Sequence, residues 1–70
     1  MAVAILAEPR AADVLRRSPQ PLLRRLIVDE SDDEIILAGS VPTYFLKQLA
    51  QEAVLPVLGR RRLLNRIVVR

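Results

Sequence analysis

The sequence predicts an α+β fold with the element order helix, strand, strand, helix, strand. Apolar residues alternate with a period of two between Glu34 and Val41, and from Thr43 they recur at helical spacing. A second alternating run, from Leu63 to Val69, closes the chain. We expect the two helices to pack on one face of a three-stranded sheet, because a strand, helix, strand unit crosses over with a right-handed connection.

The first helix is predicted from Arg10 to Arg17. Pro9 suits the first turn of a helix, and the early Asp13 and the late Arg16 complement the helix dipole. A segment with two prolines, residues 18–21, should end this helix, because proline lacks an amide donor and disfavours helical geometry in the residue before it. Its buried face is expected to contain Ala11, Val14 and Leu15.

The two strands that follow should form a hairpin. The first is predicted from Leu22 to Asp29 and the second from Glu34 to Val41, with an acidic turn between them. Gly39, inside the second strand, permits a close approach of neighbouring backbone.

The second helix should begin after Thr43, which is the expected N-cap. It should continue to about Leu55, because Pro56 then breaks or kinks it. Gly59 ends the connection to the last strand, predicted from Leu63 to Val69.

The length of 70 residues fits one small domain, with residues 1–9 as a tail and 10–70 as the folded part. The chain has no cysteine and no histidine, so we expect no disulfide and no zinc site. No other metal and no cofactor is expected. No apolar run approaches the ~20 residues of a membrane span, and no basic start precedes the apolar N-terminal segment. A cytoplasmic location is therefore expected for the chain as written.

Charge is distributed unevenly along the chain. The net charge is +3, but residues 1–40 hold five arginines and seven acids, whereas residues 41–70 hold six basic residues and one acid. A solvated surface is the favoured interpretation of the basic part, and the functional alternative is a surface for phosphate groups of lipid or nucleic acid. The candidate phosphate-binding residues are Arg60, Arg61, Arg62, Arg66 and Lys47.

One face of the predicted sheet stays uncovered by the helices. Strand parity places Arg25, Ile27, Ile36, Ala38, Leu64, Arg66 and Val68 on it. This set is more apolar than a solvated face requires, so it predicts a contact surface for a protein or a second copy of the chain. The candidate interaction residues are Ile27, Ile36, Leu64 and Val68.

Other side chains have a structural and a functional interpretation. Tyr44, Phe45 and Leu55 are expected to pack in the core, with an apolar anchor for a bilayer or a partner as the alternative. Asn65 has the parity of buried neighbours, so it should satisfy backbone groups. The acidic residues 29–34 contain a fragment of calcium-ligand spacing, but no glycine follows Asp33, so a solvated hairpin is favoured.

Catalysis is not expected. The chain has no histidine or cysteine, only one lysine, and serines confined to turn segments, so no acid, base or nucleophile is arranged for a reaction.

Residues 10–70 resemble a BON domain, the small module named for bacterial osmotically inducible and nodulation proteins. Its pattern is an acidic hairpin, V-x-L-x-G-x-V, a helix with Lys and then Ala three residues later, a Gly, and V-x-N-x-[LI]-x-V. Asp33 departs from it where the hairpin usually has Gly, and Arg60 departs where an apolar residue usually follows the Gly. The helix that begins at Tyr44 also resembles a compact single-domain bacterial type. The matching residues are Ile35, Leu37, Gly39, Val41, Lys47, Ala50, Gly59, Leu63, Asn65, Ile67 and Val69.

The resemblance implies a non-catalytic module that contacts anionic phospholipid surfaces or an envelope-associated partner, and an envelope or periplasmic location if the native chain is longer. The alternative is a structural protein-interaction domain that forms a homodimer or docks through the open sheet face, without lipid affinity. Nucleic acid is not expected as a ligand, because the strands carry no aromatic platform for bases.

Overall fold

The computed structural model of the protein describes residues 10–70 and confirms the α+β class. The tail predicted for residues 1–9 lies outside the described residues. A short 3₁₀ turn, Leu55–Val57, follows the longest helix. The other elements are α1 (Ala11–Arg16), α2 (Pro21–Arg24), β1 (Ile27–Glu30), β2 (Glu34–Ala38), β3 (Ser40–Val41), α3 (Tyr44–Val54), β4 (Arg62–Asn65) and β5 (Val68–Val69).

The main sheet has three strands in the order β1, β2, β4. β1 pairs antiparallel with β2, which confirms the predicted hairpin. β4 pairs parallel with β2, as expected for a strand that returns after a helix. In this register Ile36 at the centre of β2 lies between Asp29 on β1 and Leu64 on β4. The short strands β3 and β5 form a parallel pair of their own.

The core lies between this sheet and the helices. Ile35 and Leu37 of the central strand are completely buried, whereas their neighbour Ile36 is only half-buried, so alternate residues of β2 face the core as the pattern predicts. The other buried core residues are Ala11, Leu15, Leu23, Val41, Leu46, Ala50, Val54 and Ile67.

The segment predicted as the start of the first strand is instead a helical turn. α2 begins at Pro21, whose fixed φ suits the first position of a helix. The side chain of Gln20 accepts a hydrogen bond from the Leu22 amide, and Leu23 is buried. The prediction of a strand from Leu22 was therefore wrong, because local capping and burial of one leucine outweigh the alternating pattern.

Both longer strands are interrupted near the same end of the sheet. Gly39 has φ +120, a backbone conformation that side chains rarely adopt, and it separates β2 from β3. On the last strand the Asn65 side-chain oxygen accepts a hydrogen bond from the Ile67 amide at 3.1 Å, where β4 ends. The amide of Val68 then donates to the Gly39 carbonyl at 2.9 Å, so the two interruptions lie side by side.

α3 begins and ends close to its predicted limits. The Thr43 hydroxyl accepts a hydrogen bond from the Leu46 amide at 3.2 Å, which confirms Thr43 as the N-cap. The helix ends at Val54, and Pro56 lies in the following 3₁₀ turn. Gly59 then adopts φ +64 and closes the connection to β4.

Candidate functional site

The predicted phosphate-binding residues lie at opposite ends of the sheet. At one end, which we call the turn end, Arg60, Arg61 and Arg62 lie beside the hairpin turn, where the Arg62 amide donates to the Asp33 carbonyl at 2.9 Å. At the other end the Arg66 amide donates to the Leu37 carbonyl at 2.8 Å. The two groups are separated by the length of β4, about 13 Å for four residues.

At the turn end, Arg61 is bound inside the protein. Its side chain is only 16% exposed and forms an ion pair with Glu30 at 3.2 Å. It also donates hydrogen bonds to the carbonyl oxygens of Leu58 and Val57 at the end of the connection after α3. The guanidinium thus ties this connection to β1, and its donors are directed at protein atoms.

Glu30 joins Arg61 to the first helix. Its carboxylate accepts hydrogen bonds from the backbone amides of Ala11 at 2.9 Å and Ala12 at 3.3 Å, at the start of α1. Burial raises the pKa of Glu30, but the two amides and the Arg61 guanidinium outweigh burial, so the pKa lies below its usual 4.5. Glu30 and Arg61 therefore form a structural centre at the turn end.

The remaining arginines of the turn end lie in the same region as acidic residues. Arg62, 77% exposed at its side chain, lies 3.4 Å from the Glu34 carboxylate. Arg60 lines an open cleft of about 450 Å³ that Asp32 also lines. Acidic residues beside these arginines reduce the attraction of this end for an anion.

The opposite end, which we call the aromatic end, carries both aromatic residues of the chain. Tyr44 is 75% exposed and Phe45 is 70% exposed. The expectation that they pack in the core was wrong, because the buried face of α3 starts one residue later, at Leu46. Leu55, at the other end of this helix, is also exposed, at 46%.

Asn65 fixes the position of α3 against β4 at the aromatic end. Its side-chain amide donates to the Gln51 side chain at 3.1 Å and to the Lys47 carbonyl at 3.4 Å. With its bond to Ile67, this confirms the prediction that Asn65 satisfies protein groups. Tyr44, Lys47 and Gln51 follow one another at spacings of three and four residues, so one side of α3 carries them toward β4.

Basic residues at the aromatic end form no ion pair among the described residues. Arg25 precedes β1, whose first residue, Ile27, is paired with Ala38. Lys47 contacts Asn65 through its carbonyl oxygen, and Arg66 follows Asn65 in the chain. The ion pairs of residues 10–70 join Arg16 to Asp13, Arg61 to Glu30 and Arg62 to Glu34, and none of them includes a basic residue of the aromatic end. Exposed aromatic rings thus accompany basic side chains that form no ion pair with another residue of 10–70.

The open face of the sheet, on the side away from the core, holds the predicted interaction residues. Ile27 is 64% exposed on β1, and Ile36 and Leu64 are half-buried partners in the register of β2 and β4. Val68 is 45% exposed but lies in the second, smaller sheet, opposite Ser40. Three of the four predicted interaction residues, Ile27, Ile36 and Leu64, therefore lie in the main sheet.

Within residues 10–70 no three acidic, cysteine or histidine side chains are grouped so that they can hold a metal ion. In the same part of the chain no helix has the length and apolarity that crossing a bilayer requires.

Comparison with protein-family models, with curated proteins and with solved structures gives no match for this chain.

Proposed function

We propose that the protein is a non-enzymatic binding module that docks on anionic phospholipid surfaces through its aromatic end. The observation that carries the proposal is the exposure of Tyr44 and Phe45, at 75% and 70%, beside Lys47 and Arg66. Aromatic rings lie favourably at the level of lipid headgroups, and basic side chains are attracted to the negative surface. The resemblance to BON domains points in the same direction.

The arrangement on α3 suits a peripheral contact. Tyr44 and Phe45 occupy the first two positions of the helix, directly after the Thr43 cap, so they extend from a fixed point of the fold. A rigid anchor loses little conformational entropy when it enters the interface. Each basic side chain near an anionic surface contributes about 1 kcal/mol, so Lys47, Arg66 and Arg25 together suffice for weak, salt-sensitive binding.

Co-sedimentation with vesicles tests this proposal. We expect the protein to sediment with vesicles that contain phosphatidylserine and not with pure phosphatidylcholine. The double substitution Tyr44→Ser and Phe45→Ser should lower the affinity at least tenfold, since each ring contributes about 1.5 kcal/mol or more when it leaves water.

The matched control is Leu55→Ser, which removes an exposed apolar side chain from the 3₁₀ turn directly after α3, at the opposite end from Tyr44. It should leave vesicle binding unchanged. Equal losses in the control and in the aromatic variant, or no sedimentation with either vesicle, would contradict the proposal.

A second candidate function is protein interaction through the open face, favoured by the 64% exposure of Ile27 on the same sheet as the half-buried Ile36 and Leu64. The salt dependence of binding distinguishes the two functions. Binding through basic side chains should weaken steeply as salt rises, whereas association through apolar side chains should not.

A further inference from the structure

We propose that a second copy of this chain packs face to face on the open sheet, with the two-fold axis parallel to β2. In this dimer β1 of each copy crosses over β4 of the other. Asp29 of one copy then lies between Arg62 and Arg66 of the second copy, and Ile36 meets Ile36 of the second copy on the axis.

The residues of β1 on the open face follow from their neighbours. Val28 packs against the core, and the Glu30 carboxylate binds the amides at the start of α1. Since side chains alternate along a strand, Ile27 and Asp29 point to the opposite side. Both are exposed.

The residues of β4 are placed in the same way. Leu63 packs against the core and the Asn65 side chain reaches α3, so Leu64 between them points outward. Arg66 is exposed and lies between the inward-facing Asn65 and the buried Ile67. It therefore continues the outward side of β4.

Charge on the open face is divided between its two edges. The β1 edge carries Asp29 and the β4 edge carries Arg62 and Arg66, while Glu34 of β2, on the same side as Ile36, forms an ion pair with Arg62 at 3.4 Å. Within one chain β2 separates Asp29 from both arginines, by two interstrand spacings or about 10 Å. Asp29 therefore lacks a close pairing with either arginine in its own chain.

A two-fold axis along β2 brings these edges together. It places Asp29 of one copy over Leu64 of the other, because both lie in the row of Ile36. The arginines one row to each side, Arg62 and Arg66, then flank the carboxylate. The same axis sets the two Glu34 carboxylates opposite each other, and the Arg62 side chains of the two copies lie on either side of them and offset their charge. An axis across the strands would instead place Arg62 over Arg66 of the second copy, so the charges favour the first arrangement.

The contact is small. Three strands spaced about 4.8 Å apart, with two or three outward residues each, offer less than the ~800 Å² per partner of a standard stable interface. We therefore expect a weak dimer whose population rises with protein concentration. Because the axis runs along the strands, both aromatic ends point the same way, and a consequence that rests on the proposed function is bivalent docking on one membrane.

Charge reversal combined with mixing tests the dimer. Sedimentation equilibrium of the 70-residue chain should show reversible dimerisation. Asp29→Arg alone and Arg66→Asp alone should each weaken dimerisation about tenfold or more. Each substitution places side chains of like charge at both symmetry-related contacts between residues 29 and 66. An equimolar mixture of the two variants should recover association, because both contacts in the mixed dimer then join opposite charges.

Asp32→Arg and Arg60→Asp serve as controls, since both residues are exposed at the hairpin turn and outside the open face. They should leave dimerisation unchanged, and circular dichroism should show that all variants are folded. A wild type that stays monomeric into the millimolar range would overturn the proposal. So would folded variants that dimerise like the wild type, or a mixture that fails to recover. None of these measurements uses lipid, so they test the dimer separately from the proposed function.

Discussion

The two ends of the sheet both carry basic residues, but the basic residues differ in whether they pair with carboxylates. At the turn end Arg61 and Arg62 each lie within 3.4 Å of a carboxylate, contributed by Glu30 and Glu34. At the aromatic end, which carries the two exposed rings, Lys47 and Arg66 form no ion pair among the described residues. A run of arginines in sequence is therefore a poorer guide to an anion site than the carboxylates that the fold brings beside it.

The difference also separates stability from binding. Arg61, with a side chain only 16% exposed, connects three parts of the chain through Glu30 and two carbonyl oxygens. Tyr44 and Phe45 contribute little to the core at their exposures of 75% and 70%. Substitutions at the turn end should therefore change unfolding, and substitutions at the aromatic end should change binding.

The largest effect on stability is expected for Arg61→Met, which keeps an apolar stem but removes the charge and its hydrogen bonds. It leaves the Glu30 carboxylate partly buried without its cation, so the free energy of unfolding should fall by about 2 kcal/mol. Urea unfolding followed by circular dichroism measures the change.

Arg60→Met is the matched control, because Arg60 is exposed and makes no ion pair among the described residues. It should change the free energy of unfolding by less than about 0.5 kcal/mol. Equal changes in the free energy of unfolding for Arg61→Met and Arg60→Met would contradict the structural role given to Arg61.

A smaller, pH-dependent effect is expected for Glu30→Gln. The pKa of Glu30 is lowered in the folded protein, so its ionised form contributes stability above the usual value of 4.5, and this contribution is lost as the pH falls through the lowered pKa. At pH 7 the variant should be less stable than the wild type by about 1 kcal/mol. In acid the difference between the two proteins should disappear.

Urea unfolding of both proteins between pH 7 and pH 2.5 follows this difference. A gap that stays constant or widens toward low pH would show that the carboxylate is not held ionised by Arg61 and the α1 amides.

Much of the fold follows from sequence patterns that are local. The alternation around Ile35 and Leu37 and the capping by Thr43 depend on neighbours within a few residues, and the structure confirms both. The helical turn at Pro21 and the strand break at Gly39 were not predicted. The first depends on burial of Leu23, and the second on a backbone conformation that glycine permits but does not require.

The candidate sites were harder to predict, because they depend on residues distant in sequence. The contact between Arg61 and Glu30 spans 31 positions, so the sequence shows the two charges without showing that they pair. The exposure of Tyr44 and Phe45 has a weak local signal. The buried residues Leu46, Ala50 and Val54 are spaced by four, and neither aromatic residue falls on that series.

The most direct test of the comparison between the ends is vesicle binding by two matched double variants. Lys47→Gln with Arg66→Gln and Arg60→Gln with Arg62→Gln each remove two positive charges, and each includes one arginine from the β4 edge of the open face. With vesicles containing phosphatidylserine at low salt, the first variant should lose about 2 kcal/mol, or roughly 30-fold in affinity, and the second should bind nearly like the wild type. Equal losses would show that overall charge alone governs binding, and a greater loss in the second variant would place the lipid contact at the turn end.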